Sequence, residues 1–351
     1  MNFASDNVHG AHPVILAALG DVNGGPAAPY GNDTHTAAAE RRLGEIFGRE
    51  VKAFLVTTGT AANGLALSAI CPGHGAILCH GESHIHSDEC NGPAFFTGGG
   101  RAVGIAAPGG KLSPALVEAT FKGFFRGNHD PALAALSITN VSELGTVYTA
   151  AETAALATLA HGRGMKFHLD GARFANAVAA TGASPADLTW KAGVDVMSFG
   201  ASKNGTLMAE AVVFFDMALA ADFSRRRLRA GQAMAKGRFL GAQINAYLDG
   251  DLWLANARHA NRLAKRLADG LLRHSAIRIP YPVEANIIFA AMPEKLVAEL
   301  LAAGAFFHRR PAEGVGGGGG ETSVRLVTSF TTTEADVDSI LALVAGKAGR
   351  Q

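Results

Sequence analysis

Residues 198–205 read SFGASKNG, and they set Lys203 in a short polar break between two apolar stretches, GVDVMSF at 193–199 and GTLMAEAVVFF at 205–215. Both flanks have the length and composition of buried strands. A long cation in that position is either a loop lysine pointing into water or a side chain placed for chemistry at a strand end. The neighbouring segments repeat the pattern. AFLVTT (53–58) is followed by GTAANGLALSAI, GAILCH (75–80) by SHIHSDEC, and MKFHLDGA (165–172) by RFANAVAATG; AALSITN (134–140) is a further short apolar run ending in polar residues. Strands alternating with helices predict a mainly parallel α/β sheet, whose ligands gather beyond the C-terminal strand ends. Lys203 sits at such an end.

The remainder of the chain fits this frame. The first residues are rich in Gly, Pro, Asn and His and read as irregular as far as YGND (30–33), after which TAAAERRLGEIFGRE (36–50) reads as an amphipathic helix ended by Gly48. From about 225 the texture changes to long helical periodicity, as in NARHANRLAKRLADGLLRHS (256–275). IRIPYPVEANIIFAAM, a helix near PEKLVAELLAAG, the strand SVRLVTSF and a last helix opened by Thr333, with Asp336 at capping-box spacing, predict a small second α/β domain. The expected division is 1–240 for the large domain, with an N-terminal segment lining the site, and 241–351 for the small one. Five glycines at 316–320 read as a flexible loop tip.

Composition narrows the function classes. In 351 residues, Lys and Arg total 31 against 30 Asp and Glu, so no net charge points to nucleic acid or an anionic membrane. SRRRLRAG (224–231) reads as a solvated helix face, part of which could meet a phosphate. Cys71, Cys79 and Cys90 are odd in number and lack metal-ligand spacing, so neither a disulfide framework nor a zinc site is expected. The N-terminus has no basic start or apolar run, and no stretch nears the roughly 18 apolar residues of a membrane span. A cytoplasmic protein is expected.

The polar residues at the strand ends make a constellation. Asp170, directly after KFHL, needs a cationic or protonated partner, either Arg173 or a ligand. TTGTAAN (57–63) supplies a hydroxyl, a glycine and a helix N-terminus, which suits an anion. ESHIHSDE (82–89) puts His84 and His86 at another strand end. A lysine able to form a Schiff base, a carboxylate for a pyridine nitrogen, a phosphate-binding helix start and an aromatic ring together meet the needs of pyridoxal 5′-phosphate.

On these residues the chain resembles the pyridoxal-phosphate enzymes of the aspartate aminotransferase fold, and among them the low-specificity L-threonine aldolases. SDN (5–7), PYGND (29–33), TTGTAAN, ESHIHSDE, HLDGARFANA (168–177), SFGASKNG and VRLVTSF (324–330) follow the family's order at about its spacing. The resemblance implies fold type I, with a mainly parallel seven-stranded sheet flanked by helices, and retro-aldol cleavage of β-hydroxy-α-amino acids to glycine and an aldehyde. It implies that Lys203 carries the Schiff base, that Asp170 pairs with the pyridine nitrogen, that Gly59 and Thr60 hold the phosphate and that His84 stacks on the ring. Ser5, Arg173 and Arg325 would grip the substrate carboxylate, Tyr30 would line the pocket, and Arg229 of a neighbouring subunit would reach the phosphate in a homodimer or homotetramer. The chain departs from the family at ITNVSELGTVY (138–148), where Ser142 falls at the place of a histidine that faces the substrate hydroxyl in some members. His84, His86 or a water would then take the proton. β-Elimination, transamination or a non-catalytic cofactor-binding role are the alternatives.

Overall fold

The structure, a computed structural model, describes residues 1–124, 126–310 and 320–348. Strands β1 (Lys52–Val56), β2 (Gly75–His80), β3 (Arg101–Ile105), β4 (Ala132–Thr139), β5 (Lys166–Gly171), β6 (Val196–Phe199) and β7 (Glu210–Phe214) form one sheet in the order β1-β7-β6-β5-β4-β2-β3. β3, β2, β4, β5 and β6 are parallel, whereas β7 is antiparallel to both β6 and β1. The reason lies in the connection. A parallel neighbour needs a crossover of a dozen or more residues, and between Phe199 and Glu210 there are too few, so the chain reverses there. That reversal carries Lys203.

Helices cover both faces of the sheet, so its central strands are buried throughout rather than alternating with solvent. Successive side chains still point to opposite faces. Met197, Ala211 and Val213 join the core on one face, and Val196, Val212 and Phe214 join the core on the other. Helix Thr34–Phe47 ends as expected, with Gly48 at φ 65.

A second, antiparallel sheet comprises β8 (Ile287–Pro293), β9 (His308–Arg309) and β10 (Glu321–Val327), in the order β8-β10-β9. It has its own core, into which Phe3 packs with Leu263, Ile288, Leu326 and Val337. Helix Leu252–Leu271 joins the two cores: Trp253 and Ala257 belong to the first, Leu263, Leu267 and Leu271 to the second. The N-terminus is tied to the small sheet, with Phe3 N donating to Phe306 O at 2.7 Å and Val327 N to Phe3 O at 2.8 Å. This strap brings Ser5 and Asn7 to a cavity bordered by Lys203 at the edge of the large sheet and by Phe289 and Arg325 of the small sheet. Thr333 and Asp336 cap helix Glu334–Ala348 as read.

One segment departs from its reading. Residues 13–21, expected to be irregular, form helix Pro13–Asp21, started by Pro13 and by His12, whose Nδ1 accepts from Val14 N at 3.3 Å. Of its residues only Ile15 is buried, while Val14 and Leu16 are exposed, so no apolar stripe marks it in the sequence. The expected loop tip at 316–320 lies outside the described residues except for Gly320.

Candidate active site

A cavity of about 330 Å³ opens at the C-terminal edge of the parallel strands, lined among others by Thr58, Gly59, Asn63, His84, Asp170 and Lys203. Adjoining it, a cavity of about 270 Å³ is lined by Ser5, Arg325 and Arg310 and shares Asn7, His84, Glu143, Arg173 and Lys203 with the first. Of the residues read as catalytic or binding, Lys203, Asp170, Gly59, Thr60, His84, Arg173, Ser5 and Arg325 therefore meet around one pair of cavities.

Lys203 sits in the 3-10 turn Ser202–Asn204, and its neighbour holds that turn rigidly. Asn204 Nδ2 donates to Tyr247 Oη and to Trp253 O, both at 2.7 Å, and Asn204 O accepts from Asn256 Nδ2 at 2.8 Å. Gly205 follows at φ 131, in backbone space closed to side chains. The Lys203 amine is held below its ordinary value, first by burial and then by the nearby Arg173 charge, against the pull of Asp6, Asp170 and Glu210. A lowered lysine pKa supplies more of the neutral, nucleophilic amine.

Asp170 ends β5, and its partners differ from the expectation. Its Oδ2 accepts from Asn63 Nδ2 at 2.9 Å and its Oδ1 from Ala172 N at 3.0 Å, while Arg173 turns away to Asp6. The local spacing suggested an Asp170–Arg173 pair. Arg173 instead begins helix Phe174–Thr181 and projects toward the N-terminal strap, which supplies the carboxylate. Asn63 Nδ2 also donates to Glu89 Oε1 at 2.8 Å, and His84 Nδ1 lies 2.8 Å from the same oxygen. The hydrogen bond that His84 Nδ1 donates to Glu89 raises the His84 pKa, and burial raises that of Glu89.

The phosphate end and the carboxylate end are equally distinct. Helix Gly59–Ile70 starts at Thr58, whose hydroxyl accepts from Ala61 N at 3.1 Å, so the first backbone N–H groups, of Gly59 and Thr60, remain for a ligand. An added Cβ at Gly59 would meet nothing within 4 Å. In the second cavity Arg325 Nη2 donates to Ala4 O at 3.2 Å, whereas its Nε is buried without a partner. Burial, with Arg173 and Arg310 nearby, lowers the Arg325 pKa. A half-buried arginine fork with a buried, unpaired Nε is suited to a carboxylate.

Four of the expected residues do not line either cavity in the single chain. His86 turns its Nδ1 to Gly81 O at 3.0 Å on the outer side of its turn. Ser142 is buried with its hydroxyl 2.7 Å from Thr146 Oγ1, and the next residue, Glu143, faces the cavities instead. Tyr30 is 51% exposed, and Arg229 borders a separate cavity with Phe95 and Phe96. Sequence reasoning missed Asp6, Asn63, Glu89 and Glu143. Each lies inside a quoted motif; Glu89 and Glu143 fall in the segments after β2 and β4, whereas Asp6 in the N-terminal strap and Asn63 within helix Gly59–Ile70 carry no such signal.

The sequence model of the beta-eliminating lyases matches residues 2–295. The chain belongs to the beta-eliminating lyase family. This lyase is 38% identical to the low specificity L-threonine aldolase of a Pseudomonas species, over 97% of its own length and 96% of that protein. It is 39% identical to the protein of the same name from Pseudomonas aeruginosa, over 89% and 90%. A threonine aldolase structure from Leishmania major superposes with a TM-score of 0.90 at 28% identity, over 98% of both chains. Serine palmitoyltransferase of Sphingomonas wittichii, at 16% identity and a TM-score of 0.71, shares the fold. The lyase is thus a fold type I enzyme, with pyridoxal 5′-phosphate as its cofactor. Its residues fit that group: a lysine with a depressed pKa, a buried carboxylate opposite, free N–H groups at a helix start and an unpartnered Asn63 Oδ1 border one cavity.

Proposed function

We propose that this lyase cleaves L-threonine, L-allo-threonine and related β-hydroxy-α-amino acids, phenylserine types included, to glycine and an aldehyde. The observation that carries the reading is that Lys203, with its lowered amine pKa, and the arginines Arg173 and Arg325 border the same second cavity. An amino acid held there by its carboxylate presents its α-amino group toward the lysine. Arg173, steadied by Asp6, and Arg325, with its free Nε, take the carboxylate with Ser5 beside them. That grip orients the Cα–Cβ bond, and orientation selects the bond that breaks.

Lys203 Nζ would hold the cofactor, Gly59 and Thr60 its phosphate, and Asp170 its pyridine nitrogen. Bound there, pyridoxal 5′-phosphate supplies an electron sink for the pair released at Cα. Asp170, its carboxylate fixed by Asn63, would keep a proton on the pyridine nitrogen, and His84, its Nδ1 fixed by Glu89, would cover the ring. The division read as a large domain, 1–240, and a small one, 241–351, we keep as two units supported by two cores, with Ile244, Tyr247, Trp253 and Ala257 of the first core carrying the large unit past residue 240. We further propose a cytoplasmic homodimer or homotetramer, in which Tyr30 and Arg229 act at a subunit interface.

The test is a product assay on the cofactor-loaded protein with L-threonine, L-allo-threonine and phenylserine. Glycine and the matching aldehyde in equal amounts are expected. Ammonia and a keto acid, or amino-group exchange with a keto acid, would instead make the chain an eliminating or transaminating enzyme.

A further inference from the structure

The aldolase reading leaves one chemical task without a side chain, removal of the β-hydroxyl proton. Of the two histidines first read as able to do it, His86 turns its Nδ1 to the Gly81 carbonyl, and His84, which lines both cavities, is held at its Nδ1 by Glu89 and is assigned to the cofactor ring; Ser142, at the place of the family's histidine, faces Thr146. We propose that Glu143 takes the β-hydroxyl proton as the Cα–Cβ bond breaks.

Position comes first. Glu143 follows β4 at the sheet edge and lines both cavities, together with Lys203 and Arg173. A substrate with its carboxylate at Arg325 and its amino group toward Lys203 spans the junction of the two, where Glu143 stands. The other carboxylates are less well placed. Each borders one cavity only: Glu89, Asp170 and Glu210 the first, Glu82 and Asp88 the second, with Glu89 holding His84 and Asn63 and Asp88 facing Arg310 at 3.4 Å.

The hydrogen bonds of Glu143 orient it and leave one oxygen free. Oε1 accepts from His84 N at 2.8 Å and from Thr139 Oγ1 at 3.0 Å, whereas Oε2 is buried with no partner. A buried carboxylate oxygen without a donor is costly unless a ligand supplies one, and a substrate hydroxyl is such a donor. Burial, with Asp170 nearby, lifts the Glu143 carboxyl to about 7, so it both takes and returns a proton near neutral pH.

The step balances without an added reactant. The O–H electron pair becomes the second bond of the aldehyde carbonyl as the proton passes to Glu143 Oε2. The Cα–Cβ pair stays on Cα, drawn into the cofactor's sink, and a proton delivered to Cα yields glycine. Glu143 then releases its proton to solvent, and the sum is substrate to glycine plus aldehyde.

The inference rests on the aldolase reading, and the test separates the two. Glu143→Gln keeps the shape and the acceptor for His84 N and Thr139, but its amide cannot take the proton. The holoenzyme would be assayed for acetaldehyde release from L-threonine and L-allo-threonine. Exchange of the glycine α-hydrogen in D₂O would be followed by proton NMR, and bound cofactor by visible absorption. Exchange needs the lysine, the clamp and the cofactor but no β-hydroxyl base. Cleavage should fall about 100-fold or more while exchange stays within about threefold and the absorption is unchanged. Cleavage retained within about threefold, or exchange lost in step with cleavage, overturns the proposal. If Glu143→Gln does not fold, Glu143→Asp takes its place, with an expected cleavage loss of about tenfold or more at unchanged exchange; unaltered cleavage again overturns it. A native enzyme that exchanges glycine but releases no aldehyde refutes the aldolase reading, and the proposal with it.

Discussion

Arg173 donates from Nε to Asp6 Oδ2 at 2.6 Å and from Nη2 to Asp6 Oδ1 at 2.9 Å, so the N-terminal strap grips an arginine of the cavity edge through a buried two-point contact. Asn286 Nδ2 adds a bond to the same carboxylate at 3.1 Å. Asp6 thereby links the strap to Arg173 at the edge of the large sheet and to Asn286 beside the small sheet.

Asp6→Ala strands a buried guanidinium. We expect a loss of about 3 kcal/mol or more in unfolding free energy, read by urea denaturation, with a raised KM because the clamp loses its brace. A change under about 0.5 kcal/mol would refute the linking role. The acid limb gives a second check. Burial would raise the Asp6 carboxyl, but the charge and hydrogen bonds of Arg173 outweigh it and hold it below the usual range. The stabilisation is thus present above the unfolded value of about 3.9 and is lost as pH falls through the lower folded value. Native protein should lose stability more steeply than Asp6→Asn in that window.

Lys203→Ala removes the amine. Borohydride reduction of the native holoenzyme should fix the cofactor on the peptide carrying Lys203, and the variant should show no such label. Its turnover should drop by at least about 1000-fold, on the scale of losing a covalent catalyst. Label on another lysine, or normal turnover, would displace Lys203 from its role.

Glu89→Gln should lower the pKa of His84, because the hydrogen bond it donates to Glu89 is the main cause of its rise. Following the His84 ring through a pH titration by NMR tests this, and an unchanged midpoint would assign the proton to another partner. The sign for stability follows. A raised histidine pKa contributes stability below the unfolded value of about 6.5 that fades as pH climbs through the folded value, and the variant should lack that contribution.

Gly200→Ala probes the close approach of the segment after Asp170 to the segment before Lys203. A Cβ there would lie 2.5 Å from Ala172 Cα and 2.6 Å from Ala172 O, backbone atoms that cannot swing aside. We expect destabilisation of about 1–3 kcal/mol in thermal or urea unfolding, with weaker cofactor retention on dialysis. Gly20→Ala, where nothing lies within 4 Å, serves as the control and should be neutral or stabilising. Equal effects at the two positions would contradict the close approach.

Much of the large sheet was legible because its signals are local. GAILCH, KFHL and VMSF are short apolar runs that end in polar residues, and each became a strand with those residues at its C-terminal edge. Helix Pro13–Asp21 was not legible, because a helix that buries only Ile15 has no apolar periodicity to show. Ser142 and Glu143 stand next to each other in a turn, where no strand or helix period says which side chain faces inward; the structure turns Ser142 to Thr146 and Glu143 to the cavities.

The sequence by itself determined the alternation of strand and helix, the lysine and aspartate at strand ends, the glycine and threonine at a helix start, and the family to which they belong. These depend on periodicities of two and 3.6 residues and on residue chemistry, which a linear string carries intact. Only the tertiary structure decided the partners. Asp6 meets Arg173 across 167 residues of chain, Asn63 bridges Asp170 and Glu89, and Glu143 reaches the junction of two cavities. A buried charge takes whichever opposite group the packed chain brings within hydrogen-bond reach, and packing, not spacing along the chain, fixes that distance.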